Sequence, residues 1–341
     1  MLAPMKITAR LLKKDVIFDH YQVALRSYAN QLKQQMKRNP VDVILSIGTP
    51  AFTLLECDEP IVFYADAVFH MMPGYYGGIW DKLTGSAIRR GIWQEERALE
   101  RCTIGAYSSS WAAKGAQEHT RPDKIRVVHF GASMPVYHDM ETVQKWVSER
   151  LDRQPSECRL LFVGVDWVRK GGAIAVETAR LLNEMGVRTV LTIVGCQPDE
   201  EVPDYVDVLG YLNKRSPEGR ESLEELYRRA TFFILPTRAE ASGIVYCEAS
   251  AFGLPSITFK TGGTPDYVRD EVNGICLPLG TTPEIFAERI KASIEDRHRY
   301  SALCLGAFKE YRTRLNWDRT AGALVDLCYE AARGITLKVN D

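Results

Sequence analysis

Two glutamates bracket seven residues in the run Leu235-Pro-Thr-Arg-Ala-Glu-Ala-Ser-Gly-Ile-Val-Tyr-Cys-Glu248, and they are the residues of this sequence best placed to do chemistry. An apolar run ends at Leu235 and an apolar helical pattern begins after Gly243, which puts Glu240 on a loop and Glu248 inside the helix. Ser242 and Gly243, with Ile244 and Val245 after them, fall where the free N–H groups of a helix N-terminus meet an anion. The expected arrangement is a diphosphate at the helix start with a carboxylate on either side for sugar hydroxyls. A second segment, Gly164-Val-Asp-Trp-Val-Arg-Lys-Gly171, reads as a flexible loop carrying Arg169 and Lys170. Such a loop can surround a diphosphate and neutralise the charge that accumulates when a bond to it breaks. An Arg-Lys pair on a loop is, taken alone, more often a solvated face.

These residues need elements to hold them. Apolar runs closed by turn residues predict strands at 41–50, 61–66, 104–108 and 125–130, and then at 159–164, 189–195, 206–209, 232–235, 256–259 and 275–277. Helical periodicity fits 19–38, 95–102, the stretch from Ser110, 171–185, 221–230, 243–253, 264–269 and 282–296. Strands alternating with helices require right-handed crossovers, so both halves read as open parallel α/β sheets. In such sheets ligands bind at the carboxyl ends of strands, where Glu240 and Lys170 fall. Residues 133–157 contain Pro135 and Pro155 and no strand-like run, and read as the interdomain connection. Only the weak run from Met5 to Ala9 stands where an opening strand is expected, which leaves open an N-terminal sheet without its first strand.

The segment with Glu240 and Glu248 resembles the E-x7-E motif of glycosyltransferase family 4. Gly253-Leu-Pro255, Thr261-Gly-Gly-Thr-Pro265 and Asn273-Gly274 are similar to that family's successive landmarks, and the likeness spans most of residues 159–336. The resemblance implies the GT-B fold, two Rossmann-like domains with parallel sheets facing a cleft. The expected division is 1–140 for the acceptor, 141–318 for the nucleotide-sugar donor, and 319–341 as a C-terminal helix crossing back to the first domain. It implies that Glu240 contacts the donor sugar, Glu248 the ribose and Lys170 the phosphates. Arg169 stands in for an arginine that the family often has where this chain has Val165. The backbone of Gly164 would lie against the phosphates, the Gly262-Gly263 pair either does the same for phosphates or sugar or is a simple left-handed turn, and Gly210-Tyr211-Leu212 resembles the region that holds the base. The Tyr211 ring itself reads as core. Asp66 ends a strand where the family often has a polar residue, and takes a role near the reacting sugar or acceptor or merely caps a loop.

By that resemblance the chain is a retaining transferase that moves sugar from a nucleotide-diphosphate donor to a hydroxyl of a carbohydrate or glycolipid, in polysaccharide or glycolipid synthesis. No cofactor is expected, and no Asp-x-Asp signature is present to hold a catalytic metal. The alternative reading is a nucleotide-sugar-binding protein or an inactive, N-terminally truncated transferase. The composition suits a folded protein: 341 residues, 45% hydrophobic, 26% charged, with 43 Lys and Arg against 44 Asp and Glu. That balance gives no net field to attract nucleic acid, so none is expected as a partner. Eight dispersed cysteines without a CxxC pair read as buried thiols of a reducing compartment. The expected location is the cytoplasm, with Lys13, Lys14, Lys37 and Arg38 leaving open a peripheral contact with the inner face of the membrane. His70 and His129 read as structural histidines.

Overall fold

The computed structural model describes residues 17–134 and 138–334. The chain forms two compact units, passing from the first to the second after Val128 and back after Thr320. The run from Met5 to Ala9 lies outside the described residues.

In the first unit, β1 (Ile44–Ile47), β2 (Ile61–Ala65), β3 (Ile104–Tyr107) and β4 (Ile125–Val127) form one parallel sheet in the order β1-β2-β3-β4. Strands β2 and β3 are apolar throughout and almost wholly buried, as sheet interiors covered on both faces must be. Around the sheet lie α1 (Gln22–Arg38), α2 (Gly85–Arg101) and α3 (Ser110–Gln117). Helix α2 begins ten residues before the charged stretch that periodicity marks, capped by Thr84, whose side chain accepts from the Ala87 N–H. A 3-10 turn, Phe69–Met71, follows β2.

In the second unit, β5 (Glu157–Val163), β6 (Arg188–Val194), β7 (Val206–Gly210), β8 (Phe232–Leu235), β9 (Ser256–Lys260) and β10 (Gly274–Pro278) form a parallel sheet. Its order is β10-β9-β8-β5-β6-β7. The chain winds outward from β5 to β7 and then returns to β8 on the other side of β5, so the connections after β5 and β8 diverge at that point. This is the topological switch at which open α/β sheets bind ligands. Together, the two parallel sheets give the α/β architecture expected from the sequence.

The stretch 133–157 departs from expectation. It contains α4 (Met140–Arg153), capped by Asp139 and seated through Val143 and Val147. It is also anchored by Arg150, only 1% exposed. The guanidinium donates to the carbonyls of Tyr227 (3.3 Å) and Arg228 (3.0 Å) and to those of Phe252 (2.9 Å) and Gly253 (2.6 Å). The first two carbonyls end α7 (Pro217–Arg229), and the other two follow α8 (Ile244–Ala251). One buried cation therefore satisfies the orphan carbonyls at two helix ends, where the helix dipoles favour positive charge.

The second unit closes with α10 (Pro283–Glu295) and α11 (Arg297–Thr313), counting α5 (Trp167–Lys170), α6 (Gly172–Glu184) and α9 (Thr264–Tyr267) before them. Helix α12 (Trp317–Arg333) carries the chain back into the first unit, where Glu330 accepts from Arg126 of β4 at 2.8 Å. All eight cysteines are free thiols, and Cys57, Cys276 and Cys328 are half-exposed rather than buried. Among the described residues no helix is long and apolar enough to cross a membrane.

Candidate functional site

The site in the second unit is built on the loops that leave β5 and β8. After Val163 the chain is not a flexible loop, as the sequence suggested, but folds into the helical turn α5. The Asp166 carboxylate caps it by accepting from the Arg169 N–H at 3.0 Å. The turn stops at Gly171, whose φ of +77° is the left-handed conformation that glycine adopts without penalty. A Cβ there would also lie 2.2 Å from the Pro236 carbonyl oxygen. Gly171 thus lets the end of α5 abut the backbone that follows β8, and Lys170 arrives beside Glu240.

Lys170 and Glu240 form an ion pair, Nζ donating to Oε2, with the two residues 9% and 7% exposed. Charges so enclosed are costly to desolvate unless matched, and here each is the other's partner. Neighbouring contacts fix both. The Arg238 N–H donates to the Arg169 carbonyl (2.8 Å), Arg169 Nη1 to the Ala239 carbonyl (3.0 Å), and the Gly263 N–H to the Glu240 carbonyl (2.9 Å). The last bond brings in the Gly262-Gly263 turn after β9. Three loops from adjacent strands are therefore laced together around the pair. The Arg169 guanidinium is itself held by Asp166 (3.3 Å) and Ala239, so it braces the turn.

Ser242 and Gly243 lead into α8, with Ile244 and Val245 in its first turn. Gly243 at the N-cap brings no side chain to this helix start; its carbonyl accepts from the Tyr246 N–H at 2.9 Å, and the N–H groups of Ile244 and Val245 lie at the helix's open end. Gly164 follows β5, and its added Cβ would touch Lys170 Cγ at 3.2 Å.

Glu248 is 0% exposed. Lys214 Nζ donates to both of its oxygens (2.6 and 2.7 Å), the Tyr227 hydroxyl to Oε2 (2.9 Å) and the Ser133 hydroxyl to Oε1. Burial, with the Glu248 charge beside it, holds the Tyr227 phenol well above its ordinary pKa, so it remains a donor. None of these three partners was singled out from the sequence. Lys214 lies just beyond Gly210-Tyr211-Leu212, and this segment meets the α8 glutamate through that lysine. The Tyr211 ring is not core: it is 74% exposed, because β7 is the sheet edge and the chain turns outward at Gly210. Asp66 is exposed at the end of β2, in the first unit, and its carbonyl accepts from Ser108 at 3.5 Å.

A cleft of about 390 Å³ borders Trp167, Val168, Gly171 and Arg238. Glu177, Asp199, Glu200 and Glu201 also line it, so an anionic diphosphate would meet carboxylates there. The Lys170 side of the loops suits an anion better.

With this geometry in view, similarity to known proteins points one way. Residues 157–296 match the family model described as glycosyl transferases group 1. A D-inositol 3-phosphate glycosyltransferase of Streptomyces bingchenggensis is 28% identical over 226 residues, covering 62% of this chain and 49% of the relative. A second, from Catenulispora acidiphila, is 30% identical over 227 residues, with 62% and 53% covered. The matched stretch thus spans about half the length of these curated relatives. Among solved structures, WaaG, a glycosyltransferase involved in lipopolysaccharide biosynthesis, superposes with a TM-score of 0.64 at 20% identity, covering 92% of this chain and 85% of WaaG. Anabaena HepE in complex with UDP-glucose gives 0.62 at 15% identity, with 89% and 82% covered. Sucrose-phosphate synthase of Thermosynechococcus elongatus gives 0.67 at 16%, with 91% and 79% covered. Residues 157–296 accordingly carry the group 1 glycosyl transferase pattern, on a chain whose two α/β sheets have the GT-B fold.

Proposed function

We propose that this chain transfers a sugar from a nucleotide-diphosphate donor to a hydroxyl acceptor, with retention at the anomeric carbon and without a catalytic metal. The observation that carries the reading is the enclosed Lys170–Glu240 pair at the switch between β5 and β8, beside the first turn of α8. A cation held there in advance stabilises charge as it develops on the departing diphosphate, with little reorganisation at the moment of reaction. Glu240 receives the sugar's hydroxyls, and the departing phosphate oxygen takes the acceptor's proton, so no separate base is needed. Glu248 serves the ribose from behind Lys214. The UDP-glucose in the HepE structure makes UDP-sugars the first donors to try, with a carbohydrate or glycolipid acceptor.

The test combines binding and turnover. The full chain is screened by thermal shift against UDP-, GDP- and ADP-sugars, and the donor that shifts it is assayed for transfer and for slow hydrolysis. Glu240→Gln is expected to lower turnover by 100-fold or more, on the order of 3 kcal/mol of transition-state stabilisation, while leaving nucleotide affinity within about threefold. Equal losses in affinity and turnover would remove Glu240 from the reacting centre. Absence of a shift with every nucleotide would sink the transferase reading for this chain.

A further inference from the structure

In the first unit, two histidines far apart in sequence meet. His70 lies in the 3-10 turn Phe69–Met71, and His119 follows α3, next to Glu118. The imidazole rings are 4.5 Å apart, and His70 Nε2 is 3.7 Å from a Glu118 carboxylate oxygen. One ligand atom from each of the three residues lies within 4.8 Å of the other two. We propose that His70, Glu118 and His119 form a binding site for a divalent ion of the zinc class.

Three independent features support it. The first is ligand chemistry. Two imidazoles and a carboxylate with an open fourth position suit zinc, whose bonds of about 2.0–2.2 Å place neighbouring tetrahedral ligands about 3.4 Å apart. The His70–Glu118 separation is already close to that. Glu118 is 65% exposed and free to swing the remaining distance.

The second is the shell behind the ligands. His119 Nδ1 is 3.1 Å from a carboxylate oxygen of Glu96, on α2. A carboxylate on one ring nitrogen fixes the tautomer and aims the other nitrogen, Nε2, as the acceptor a metal requires.

The third is preorganisation. Both neighbours of His70 sit in glycine notches. A Cβ on Gly91 of α2 would fall 2.1 Å from the Phe69 ring, and one on Gly115 of α3 would fall 2.0 Å from the Met71 sulfur. The buried carboxyl group of Glu95 also accepts from the Phe69 N–H. The turn carrying His70 is thus clamped against α2 and α3 before any ion arrives, so little ordering entropy opposes binding. The ion would pin this turn to the end of α3.

The experiment uses the tag-free full chain, stripped with chelator and titrated with Co²⁺, then with Zn²⁺. The expected result is one Co²⁺ per chain, with visible d–d absorption of a tetrahedral nitrogen and oxygen site, displaced by Zn²⁺. Zinc should also raise Tm. His119→Gln and His70→Gln should abolish the stoichiometric signal, and Glu96→Gln should weaken affinity by about 10–100-fold while leaving the stoichiometry at one. The last variant separates an oriented ligand from a merely adhering ion. Lack of stoichiometric binding by the wild-type chain would overturn the site, as would binding that survives both histidine variants. Intense thiolate-to-cobalt charge-transfer bands would also overturn it, by moving the ion to Cys57, Cys276 or Cys328.

Discussion

Glu95 shows how a single side chain can set a pH dependence. Burial pushes its carboxyl up to about 7 from an ordinary 4.5, against the lowering effect of the Phe69 N–H, with Asp66 adding to the rise. The folded chain therefore keeps a proton that the unfolded chain releases. The stability linked to that proton is fully present below about pH 4.5 and is lost as pH rises through about 7, a swing on the order of 3 kcal/mol. Glu95→Gln retains an acceptor for Phe69 and does not titrate. In chelator, the difference in Tm between wild type and Glu95→Gln should change progressively from pH 4.5 to 8, the variant gaining relative to wild type as pH rises. A constant difference would mean that Glu95 is ionised throughout. The contacts of Glu240 and Glu248 differ in how readable they were. Glu240 and Lys170 each stand in a local pattern of glycines and strand ends. The partners of Glu248 come from three separate segments, at Ser133, Lys214 and Tyr227, and no spacing rule links them.

At the scale of elements, α/β alternation was legible because buried parallel strands are nearly continuous apolar runs, as in Phe232–Leu235. Helix α4 was not, since prolines flank it and one of its three buried residues is an arginine, which reads as surface in any hydrophobicity pattern. The α5 turn was also missed, being only four residues long and dependent on the Asp166 cap rather than on periodicity. Arg150 should be correspondingly costly to replace. Arg150→Met leaves carbonyls at two helix ends without donors and is expected to destabilise the chain by about 3 kcal/mol or more in urea unfolding. Arg150→Lys should recover only part, because one ammonium cannot reproduce a planar fork that reaches four carbonyls. Unchanged midpoints for both variants would show that the carbonyls find other donors.

For the whole molecule, the path of α12 matters most. The first unit contains chain from both sides of the second, and Arg126 of β4 finds its carboxylate on Glu330, 4% exposed at the side chain. Glu330→Ala leaves that guanidinium, itself 17% exposed, with the Asp123 and Ile125 carbonyls but without its carboxylate, and should cost roughly 1–3 kcal/mol. The loss should be local: hydrogen exchange is expected to speed up in β4 and α12 while β5 and β6 keep their protection. Uniform acceleration across both units would indicate that they unfold as one.

That path also orders events during synthesis. The ribosome releases β1 to β4 long before α12, so the first unit is left with an uncovered seat while the whole second sheet is being made. The second unit is one continuous stretch, His129–Thr320, complete before the rest of α12 is made, so it can be the first to reach its final form, although it is translated later.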